Sequence, residues 1–444
     1  MPMTAPPSPS PQVKPDPIRS LLDGTYGEAE TGKAVRIATR SLVVADTLAG
    51  TEAELVAELG FGRRLAVVSD PMTRAVLGAR VEADLGGVFD VQSIVLSDVP
   101  YPDEDTVDAI RKAAGRADAY IAVGSGTIND LTKYSSALDG KPYAVFATAP
   151  SMNGYTSLTA SISQHGHKLT LPAQAPAGAF FDLAVLAAAP KRMIRAGLGD
   201  SVCRATAQTD WLMSHLLLGT AYRQLPFDLL ADEEPLLLDL ASDLVAGSTE
   251  AMRVLVRTLI LSGLGTAIFG SSAPASQAEH LVSHYIDMLA PATRPHAFHG
   301  EQVGVTTLSM ARLQETVLAE PPVLKADTIT ERDVIAHFGT ELGSSCWPEF
   351  AAKRLDEAKA DELNHRIATQ WTDISAKLAQ SFLSPARIEA VLLAAGAPTT
   401  PQAIQLDRGF YEAAMLHGRE IRNRFTVLDV MGASGRLPKV LPTI

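Results

Sequence analysis

The chain has 444 residues, of which 46% are hydrophobic and 20% charged, a composition typical of folded globular proteins and unlike that of disordered or fibrous ones. Because this length exceeds that at which one hydrophobic core stops growing, two domains are expected. The net charge of −12 argues against a polyanion-binding surface, so no nucleic-acid partner is expected, although a local basic pocket for one phosphate group remains compatible.

The N-terminal residues 1–30 are predicted to form a disordered tail. The segment MPMTAPPSPSPQVKPDP is rich in proline and serine, and it lacks the basic start and the apolar stretch of a secretion signal. Further along, the apolar segment AGAFFDLAVLAAAP is interrupted by Asp182 and bounded by Pro190, and no run of 18 uncharged apolar residues occurs. No membrane span is therefore expected.

Residues 31–188 are predicted to form an α/β domain. Four short apolar runs alternate with helical patterns: RLAVVSD at 64–70, VQSIVL at 91–96, AYIAVGSG at 119–126 and YAVFATAP at 143–150. Near-continuous apolar runs are typical of parallel strands covered on both faces. The pattern predicts a Rossmann-like, doubly wound parallel sheet that binds a nucleotide.

Residues 189–444 are predicted to form an all-helical domain. Long helical patterns follow one another, among them SVCRATAQTDWLMSHLLLG, STEAMRVLVRTLILSGLG, QAEHLVSHYIDMLA and RGFYEAAMLHGREIRNRF. Few β-branched runs separate them. The domain boundary is expected near residues 185–192.

A glycine turn follows the third predicted strand. The sequence from Gly124 to Ile128, GSGTI, stands between AYIAV and a helical pattern. Small residues let the backbone approach a pyrophosphate, and the amides of a helix N-terminus can bind it. The segment is not the G-x-G-x-x-G fingerprint, and a simple tight turn fits it equally well.

Two other strand ends carry candidate cofactor residues. Ligands of open α/β sheets bind outside the carboxyl ends of the strands, so Asp70 could bind the ribose hydroxyls, with a mild preference for NAD over NADP. Its alternative role is a helix N-cap. After the fourth strand, the loop with Thr148, Ser151, Asn153 and Ser157 offers hydroxyl and amide groups to a nucleotide or a substrate.

An acid and several histidines in the helical half predict a divalent-metal site. Asp200 follows GLG and is expected to open a helix, while His280 and His284 lie four residues apart and so share one helix face. His299 in HAFHGEQVG is a further candidate. One carboxylate and two imidazoles leave a coordination position open, as a catalytic site needs, and suit zinc, iron(II) or nickel. Spacing does not choose between His284 and His299, and helix-surface histidines are the alternative.

The chain has two cysteines, Cys203 and Cys346, which are far apart and outside any C-x-x-C spacing. They suggest neither a disulfide framework nor a thiolate zinc site. A reducing, cytoplasmic location is expected.

Four motifs occur in an order that resembles a known family: AVGSGTINDLTKY, TAPSMNGYTS, GLGDSVCRATAQTDW, and SQAEHLVSHYIDM with HAFHGEQVGV. The chain is similar, from about residue 36 to 430, to the sn-glycerol-1-phosphate dehydrogenases of the iron-containing alcohol dehydrogenase and dehydroquinate synthase superfamily. The resemblance implies a dehydroquinate synthase-like fold. It also implies an NAD(P)-dependent oxidoreductase that interconverts dihydroxyacetone phosphate and sn-glycerol 1-phosphate with one divalent metal ion.

The resemblance also assigns roles to residues. It implies that Asp200 binds metal and substrate, that His280 and His299 complete the metal ligands, and that His284 and Asn153 contact the substrate. His284 is the candidate for the proton route. The implied cofactor contacts are Gly124, Ser125, Gly126, Thr127, Ile128, Thr148, Ser151 and Ser157. A homo-oligomer, a dimer or larger, is expected, with a small molecule as substrate.

The chain departs from the family pattern at two positions. Ser125 stands in place of the second glycine of the usual Gly-Gly-Gly start, and Asn153 stands where aspartate is common, so it cannot take a proton. Asn153 leaves open another polyol or sugar (phosphate) dehydrogenase of the superfamily. A dehydroquinate synthase-like cyclase is disfavoured, because those enzymes have glutamate at the position of Asp200. For the substrate phosphate, Lys133 and Arg422 are suggestions. A solvated helix residue or a cofactor contact explains Lys133 equally well, and a solvated helix face explains Arg422 equally well.

Overall fold

The computed structural model of the chain describes residues 15–164, 167–290 and 297–441. Within these residues, all the strands lie in the first half of the chain. They are Ser41–Ala45 (β1), Arg64–Ser69 (β2), Asp90–Val95 (β3), Ala119–Gly124 (β4), Tyr143–Ala147 (β5), Thr159–Gln164 (β6), His167–Pro172 (β7) and Gly178–Asp182 (β8). The helices of this half are Pro17–Leu22 (α1), Glu52–Ala57 (α2), Pro71–Thr73 (α3), Ala79–Leu85 (α4), Glu104–Ala114 (α5), Gly126–Leu138 (α6) and Leu183–Ala187 (α7).

The remaining α-helices fill the second half of the chain. They are Lys191–Val202 (α8), Arg204–Leu218 (α9), Leu225–Asp228 (α10), Glu233–Asp239 (α11), Ala241–Ala246 (α12), Thr249–Phe269 (α13), Ala278–Leu289 (α14), His299–Ala319 (α15), Glu331–Phe338 (α16), Thr340–Lys353 (α17), Glu357–Ser381 (α18), Pro385–Ala394 (α19), Arg408–His417 (α20), Val427–Ala433 (α21) and Leu437–Val440 (α22). Short 3₁₀ turns lie at Gly154–Thr156, Ala273–Ala275, Gln402–Ile404 and Gly418–Glu420, and a π-helical turn lies at Arg74–Gly78.

Six strands form a parallel sheet in the order β1-β8-β5-β4-β2-β3, and β6 pairs with β7 in a separate antiparallel hairpin. The four strands predicted from the sequence are β2 to β5. Every residue of β4 and β5 is buried, because both faces of the sheet centre are covered, whereas β3 at the edge is largely exposed. The predicted α/β domain followed by helices is confirmed.

The sheet has a topological switch point between β2 and β4. From β2 the chain crosses outward to β3, whereas from β4 it crosses the other way to β5. Crevices of this kind, outside the carboxyl ends of the strands, are where open α/β sheets bind ligands. Asp70 follows β2 and Gly124 ends β4, so both lie at this crevice.

The predicted N-terminal tail is too long. Residues 1–14 lie outside the described residues, but Pro17–Leu22 forms helix α1, and Ile18 and Leu21 are buried in a hydrophobic cluster. Asp16 caps this helix by accepting hydrogen bonds from the amides of Ile18 and Arg19. The Asp16 cap and the burial of Ile18 and Leu21 therefore place the start of the ordered chain well before residue 30.

The last predicted helix is also shorter than its sequence pattern. Helix α20 ends at His417, and the next three residues form the 3₁₀ turn Gly418–Glu420. Gly418 itself keeps right-handed helical dihedral angles, and the turn packs against the backbone of Val282 in α14.

Helix α13 is the core helix that joins the two halves of the molecule. Among the described helices it alone is long and apolar enough to cross a membrane, yet 72% of its apolar window is buried inside the fold. Its side chains Leu255 and Leu259 belong to the same hydrophobic cluster as Val145 of β5. Because one cluster contains residues from both halves, the predicted division at residue 188 stays a prediction.

Helices α8 and α15 approach each other backbone to backbone. A Cβ atom on Gly199 would overlap the carbonyl oxygen of Gly300, and one on Gly300 would overlap that of Ala196. An ion pair also ties the two helices, since Arg192 Nε donates to Glu301 Oε1 at 2.6 Å. Glycine is thus required here for close packing and not for a turn.

Replacing Gly300 by alanine should separate α8 from α15. The added methyl group has no space beside the Ala196 carbonyl, and overpacking of this kind costs about 1–3 kcal/mol. We expect Gly300→Ala to lower the thermal unfolding midpoint of the metal-free protein by several degrees.

Gly304→Ala is the matched control in the same helix. Its Cβ would lie 3.4 Å from Gly199 Cα and 3.5 Å from Leu392 Cδ2, which is ordinary contact. Equal unfolding midpoints for the two variants would contradict the role of the Gly300 contact.

Candidate active site

Three of the predicted metal ligands converge from three helices. Asp200 Oδ1 in α8 lies 3.8 Å from His280 Nε2 in α14 and 3.9 Å from His299 Nε2 in α15. Ligand atoms of one tetrahedral ion lie roughly 3.4 Å apart at ordinary zinc bond lengths. Asp200 and His280 are buried, whereas the His299 side chain is 32% exposed. The three donor atoms therefore fit a divalent ion that keeps a coordination position open on the side of His299.

A buried carboxylate orients His280. Glu279 Oε1 lies 2.9 Å from His280 Nδ1 and also accepts a hydrogen bond from the Gln277 amide at 2.8 Å. A carboxylate beside Nδ1 keeps the proton on that nitrogen, which leaves the lone pair of Nε2 for a metal. Glu279 is thus well placed to fix the tautomer and the ring orientation.

His299 has a weaker support of the same kind. Its Nδ1 lies 3.4 Å from Ser283 Oγ, and the Ser283 hydroxyl donates to Gln302 Oε1 at 2.9 Å. Gln302 is fixed in turn by Asp287, whose Oδ1 accepts from Gln302 Nε2 at 3.0 Å. Since the Ser283 proton is used, its oxygen can accept only from Nδ1–H, which again leaves Nε2 for the metal.

Asp200 is held by the loop that follows β5. Its Oδ2 accepts a hydrogen bond from the Asn153 amide at 2.9 Å, which leaves Oδ1 facing the two imidazoles. Burial raises the pKa of Asp200, while His280 and the Asn153 amide act to lower it. The prediction that Asp200 opens a helix is wrong. It lies near the end of α8, because the preceding glycines stay helical to allow close packing.

His284 lies beside the three ligands but outside their group. Its ring centroid is 6.2 Å from those of both His280 and His299. The described donor atoms within 4.8 Å of one another include those of His299 and not those of His284. The geometry thus selects the pair that spacing alone leaves open.

Asn153 connects the loop after β5 to helix α13. Its Nδ2 donates to Ser262 Oγ at 3.1 Å, and its backbone oxygen lies where a Cβ on Gly263 would stand. Gly197 of α8 packs as closely against the Pro150 carbonyl. This loop is therefore wedged between α8 and α13, with Asn153 half-buried at the edge of the site.

The turn after β4 has the form of a phosphate cradle. Ser125 has φ −102° and ψ −154°, an extended conformation open to any residue, so its replacement of a glycine causes no strain. Ser125 makes no side-chain cap of α6, and the first three amides of a helix lack intrahelical partners. A Cβ on Gly124 would overlap the Ile128 side chain. The amides of Gly126 to Ile128 can therefore bind an anion.

The end of β5 adjoins this cradle. The Thr148 amide donates to the Gly124 carbonyl at 3.1 Å, and Thr148 is buried. Ser151 lies further along the same loop and is half-buried. Both residues can face a ligand that occupies the crevice.

Asp70 and Ser157 both make contacts that stabilise the fold. Asp70 Oδ1 caps α3 by accepting from the Thr73 amide at 2.8 Å, so only its other carboxylate oxygen is available to a ribose. The Ser157 hydroxyl is buried, within 3.0 Å of the Gly154 carbonyl and 3.1 Å of the Lys133 ammonium. A cofactor contact from the Ser157 side chain is therefore not favoured.

Lys133 is buried and holds the same loop. Its ammonium donates to the Gly154 carbonyl at 2.6 Å, the Ser157 hydroxyl at 3.1 Å and the Thr159 carbonyl at 3.0 Å. The suggestion that it binds a substrate phosphate is thus wrong, because its donors are used. Arg422 is half-buried and reaches Thr170 of β7 at 3.5 Å, so it remains a suggestion.

Asp210 positions helix α14 from behind the site. This buried carboxylate accepts from the amides of Ala278 at 3.3 Å and Val427 at 3.1 Å, and from Gln314 Nε2 at 2.9 Å. It therefore joins the N-termini of α14 and α21. The sequence alone does not reveal Asp210 or Glu279 as residues that support the site. The amides that Asp210 binds lie far away along the chain. Glu279 is adjacent to His280, and adjacent helix residues do not normally face one another.

Comparison with known proteins identifies the family to which the chain is similar. Residues 43–190 match the model of the iron-containing alcohol dehydrogenase family. The chain is 30% identical over 374 residues to a glycerol-1-phosphate dehydrogenase [NAD(P)+] of Geobacillus thermodenitrificans, covering 82% of this chain and 86% of that relative. It is 34% identical to the enzyme of the same name from Pyrococcus furiosus, covering 62% and 78%.

The fold is similar to those of solved dehydrogenases. A probable glycerol dehydrogenase from Sinorhizobium meliloti superposes with a TM-score of 0.57 at 17% identity, covering 91% of this chain and 98% of that one. A 1,3-propanediol oxidoreductase superposes with a TM-score of 0.62 at 13% identity, with coverage of 91% and 98%.

Replacing Glu279 by glutamine should weaken metal binding. The uncharged amide oxygen of glutamine accepts the proton of His280 Nδ1 more weakly than a carboxylate does. Loss of such a hydrogen bond to a metal ligand typically lowers metal affinity about 10- to 100-fold. We expect this loss for Glu279→Gln in a competition titration with a chromogenic chelator.

Ser283→Ala tests the weaker support of His299. Because the Nδ1–Oγ separation there is 3.4 Å, we expect a smaller loss than for Glu279→Gln. Wild-type metal affinity in Glu279→Gln, with the fold intact by circular dichroism, would show that the Glu279 contact does not orient His280.

Proposed function

Because the chain belongs to the glycerol-1-phosphate dehydrogenase family of the iron-containing alcohol dehydrogenase superfamily, we propose that it interconverts dihydroxyacetone phosphate and sn-glycerol 1-phosphate. It is an NAD(P)-dependent oxidoreductase that acts on a CH–OH group of a small molecule, with a divalent metal. The substrate proposal is supported by the similarity to glycerol-1-phosphate dehydrogenases, and the metal-dependent chemistry by the meeting of Asp200, His280 and His299 beside the loop of Asn153.

The metal ligands in this proposal are Asp200 Oδ1, His280 Nε2 and His299 Nε2. Their donor set suits zinc, iron(II) or nickel. An ion held by these residues would supply Lewis-acid polarisation of the substrate carbonyl, and a reduced nicotinamide would supply the hydride. The exposed side of His299 leaves room for the substrate oxygen, while buried Asp200 and His280 exclude water from the other side.

Other residues bind and orient the reactants in the proposal. The amides of Gly126, Thr127 and Ile128 hold the cofactor pyrophosphate, with Gly124, Ser125, Thr148 and Ser151 lining the crevice. The free oxygen of Asp70 binds the ribose and favours NAD over NADP. Asn153 positions Asp200 through its backbone amide and contacts the substrate.

His284 carries the proton in this mechanism. It shares a face of α14 with His280 and is half-exposed, so it can exchange protons with solvent while it lies beside the reacting oxygen. We further propose that the protein works in the cytoplasm as a homo-oligomer, a dimer or larger. Cys203 and Cys346 are both buried and free, as suits a reducing compartment.

The substrate proposal predicts a requirement for the phosphate group. We expect the purified, metal-loaded protein to oxidise NADH or NADPH with dihydroxyacetone phosphate, at a kcat/KM at least about 100-fold above that for dihydroxyacetone, because a charged group without its partner is costly. The product should be inert to an sn-glycerol-3-phosphate dehydrogenase, and Asp200→Asn should abolish the reaction.

Each alternative has its own outcome in this assay. Equal rates with both ketones would indicate a polyol dehydrogenase of the same superfamily. Turnover without net consumption of reduced cofactor would indicate a cyclase.

The proton route predicts a specific effect of His284→Ala. General acid catalysis contributes about 10²–10⁴-fold, so kcat should fall by at least about 100-fold while metal content stays unchanged. One limb of the pH–rate profile should also disappear. His365→Ala, in an exposed histidine of α18, is the control, and an unaltered rate and profile in His284→Ala would remove His284 from the mechanism.

A further inference from the structure

A second cavity lies away from the candidate active site. It has a volume of about 410 Å³ and is bounded by α9, the end of α13, the start of α18 and the segment Asn423–Phe425. The described residues that line it include no proposed metal, substrate or cofactor residue. Its volume suits a small organic molecule.

One wall of this cavity is aromatic. Trp211, Phe269 and Phe425 line it. The Trp211 ring packs edge-on against Phe269, with 4.6 Å between the ring centroids, and Trp211 and Phe425 are each 5% exposed. Rings fixed in this way present a rigid apolar surface to a ligand.

The cavity lining also contains cations. They are Lys353, Lys359 and Arg424, and no aspartate or glutamate is among the described lining residues. This is unusual in a chain with 50 acidic and 38 basic residues. The charged groups that line the cavity thus favour an anion.

Arg424 is the cation that most needs a partner. Its guanidinium donates to the Ser276 carbonyl, to Ser276 Oγ at 2.8 Å and to Ser272 Oγ at 2.6 Å, which are all neutral acceptors. Burial and the neighbouring Arg422 lower the pKa of Arg424 to about 10. Lys353, by contrast, pairs with Asp429 at 2.9 Å. Glu279 and Glu349 act on the Arg424 charge through space, and an anion in the cavity would add a charged hydrogen-bond partner in direct contact.

We infer that this cavity binds a small organic anion whose apolar body packs on Trp211 and whose charged group faces Arg424 and Lys359. The aromatic rings and the cations of the lining select such a ligand together. An inorganic anion would leave the rings unused, and a neutral apolar molecule would make no charged contact with Arg424 or Lys359.

The cavity is connected to the metal site through Gln277. This residue lines the cavity, and its amide donates to Glu279 Oε1 at 2.8 Å, the atom that lies 2.9 Å from His280 Nδ1. Two hydrogen bonds thus connect Gln277, which lines the cavity, to His280, a proposed metal ligand. Binding in the cavity and metal affinity should change together, since such coupling is reciprocal.

The experiment uses 1-anilinonaphthalene-8-sulfonate as the probe on the full-length, metal-loaded protein. Saturating oxidised cofactor is present, so that the dye cannot report on the nucleotide site. We expect energy transfer from tryptophan to one bound dye per chain. N-phenyl-1-naphthylamine, which has the same rings without the sulfonate, should bind at least about fivefold more weakly.

Two variants with matched controls test the location. Lys359→Glu reverses an exposed charge at the cavity and should weaken the dye about five- to tenfold, whereas Lys377→Glu on the same helix should not. Ala352→Phe fills the cavity from an exposed position and should weaken the dye at least about tenfold, whereas Ala358→Phe should not.

Three results would overturn the inference. These are displacement of all the dye by cofactor, equal affinity for the neutral analogue, and unchanged dye affinity in both Lys359→Glu and Ala352→Phe. None of them depends on catalytic activity, so this inference can fail while the proposed reaction stands.

Discussion

The rest of the structure depends on the contact between α8 and α15, where two backbones touch with no side chain between them. Gly199 and Gly300 face each other's helix, and each has a carbonyl oxygen where a side chain would begin. The contact brings the carboxylate of Asp200 to the imidazole of His299, 99 positions further along the chain. Gly197 repeats the arrangement on the other side of α8, against Pro150. One helix thus connects the loop after the sheet to the helical half.

Buried carboxylates complete this frame by holding helix ends. Asp210 joins the first amides of α14 and α21, and Glu279 joins the Gln277 amide to the ring of His280. Helix N-termini carry unpaired amides and a partial positive charge, so a carboxylate is well suited to this position. Both acids lie behind the metal-binding face, where they fix directions and leave the open side to the substrate.

The sequence predicts those features that local chemistry determines. Near-continuous apolar runs identify β2 to β5, and an acid with several histidines predicts a metal site, for which the family resemblance implies Asp200, His280 and His299. It does not predict features that depend on distant partners. The glycines before Asp200 look like a helix start, because only distant partners make them necessary inside a helix: Pro150 for Gly197 and α15 for Gly199. The buried role of Lys133 depends on the loop that folds over it, and no periodicity signals that α1 packs into the core.

Glu279 illustrates the limit most clearly. Adjacent residues of a helix point in different directions, and its carboxylate reaches His280 only because it bends back to the Gln277 amide at the helix start. The choice between His284 and His299 likewise cannot be made from spacing and comes only from the family resemblance. Ligand identity is thus encoded locally, whereas ligand orientation is encoded by packing.

The way Asp210 ties α14 to α21 has a consequence for how firmly a metal ion can be held. His280 lies on a helix whose first amide shares a carboxylate with the amide of Val427, 147 positions further along the chain. A segment that contains none of the proposed metal ligands therefore helps to hold α14 in place. Loosening α21 would leave all three proposed ligands in the chain and yet weaken their hold on an ion.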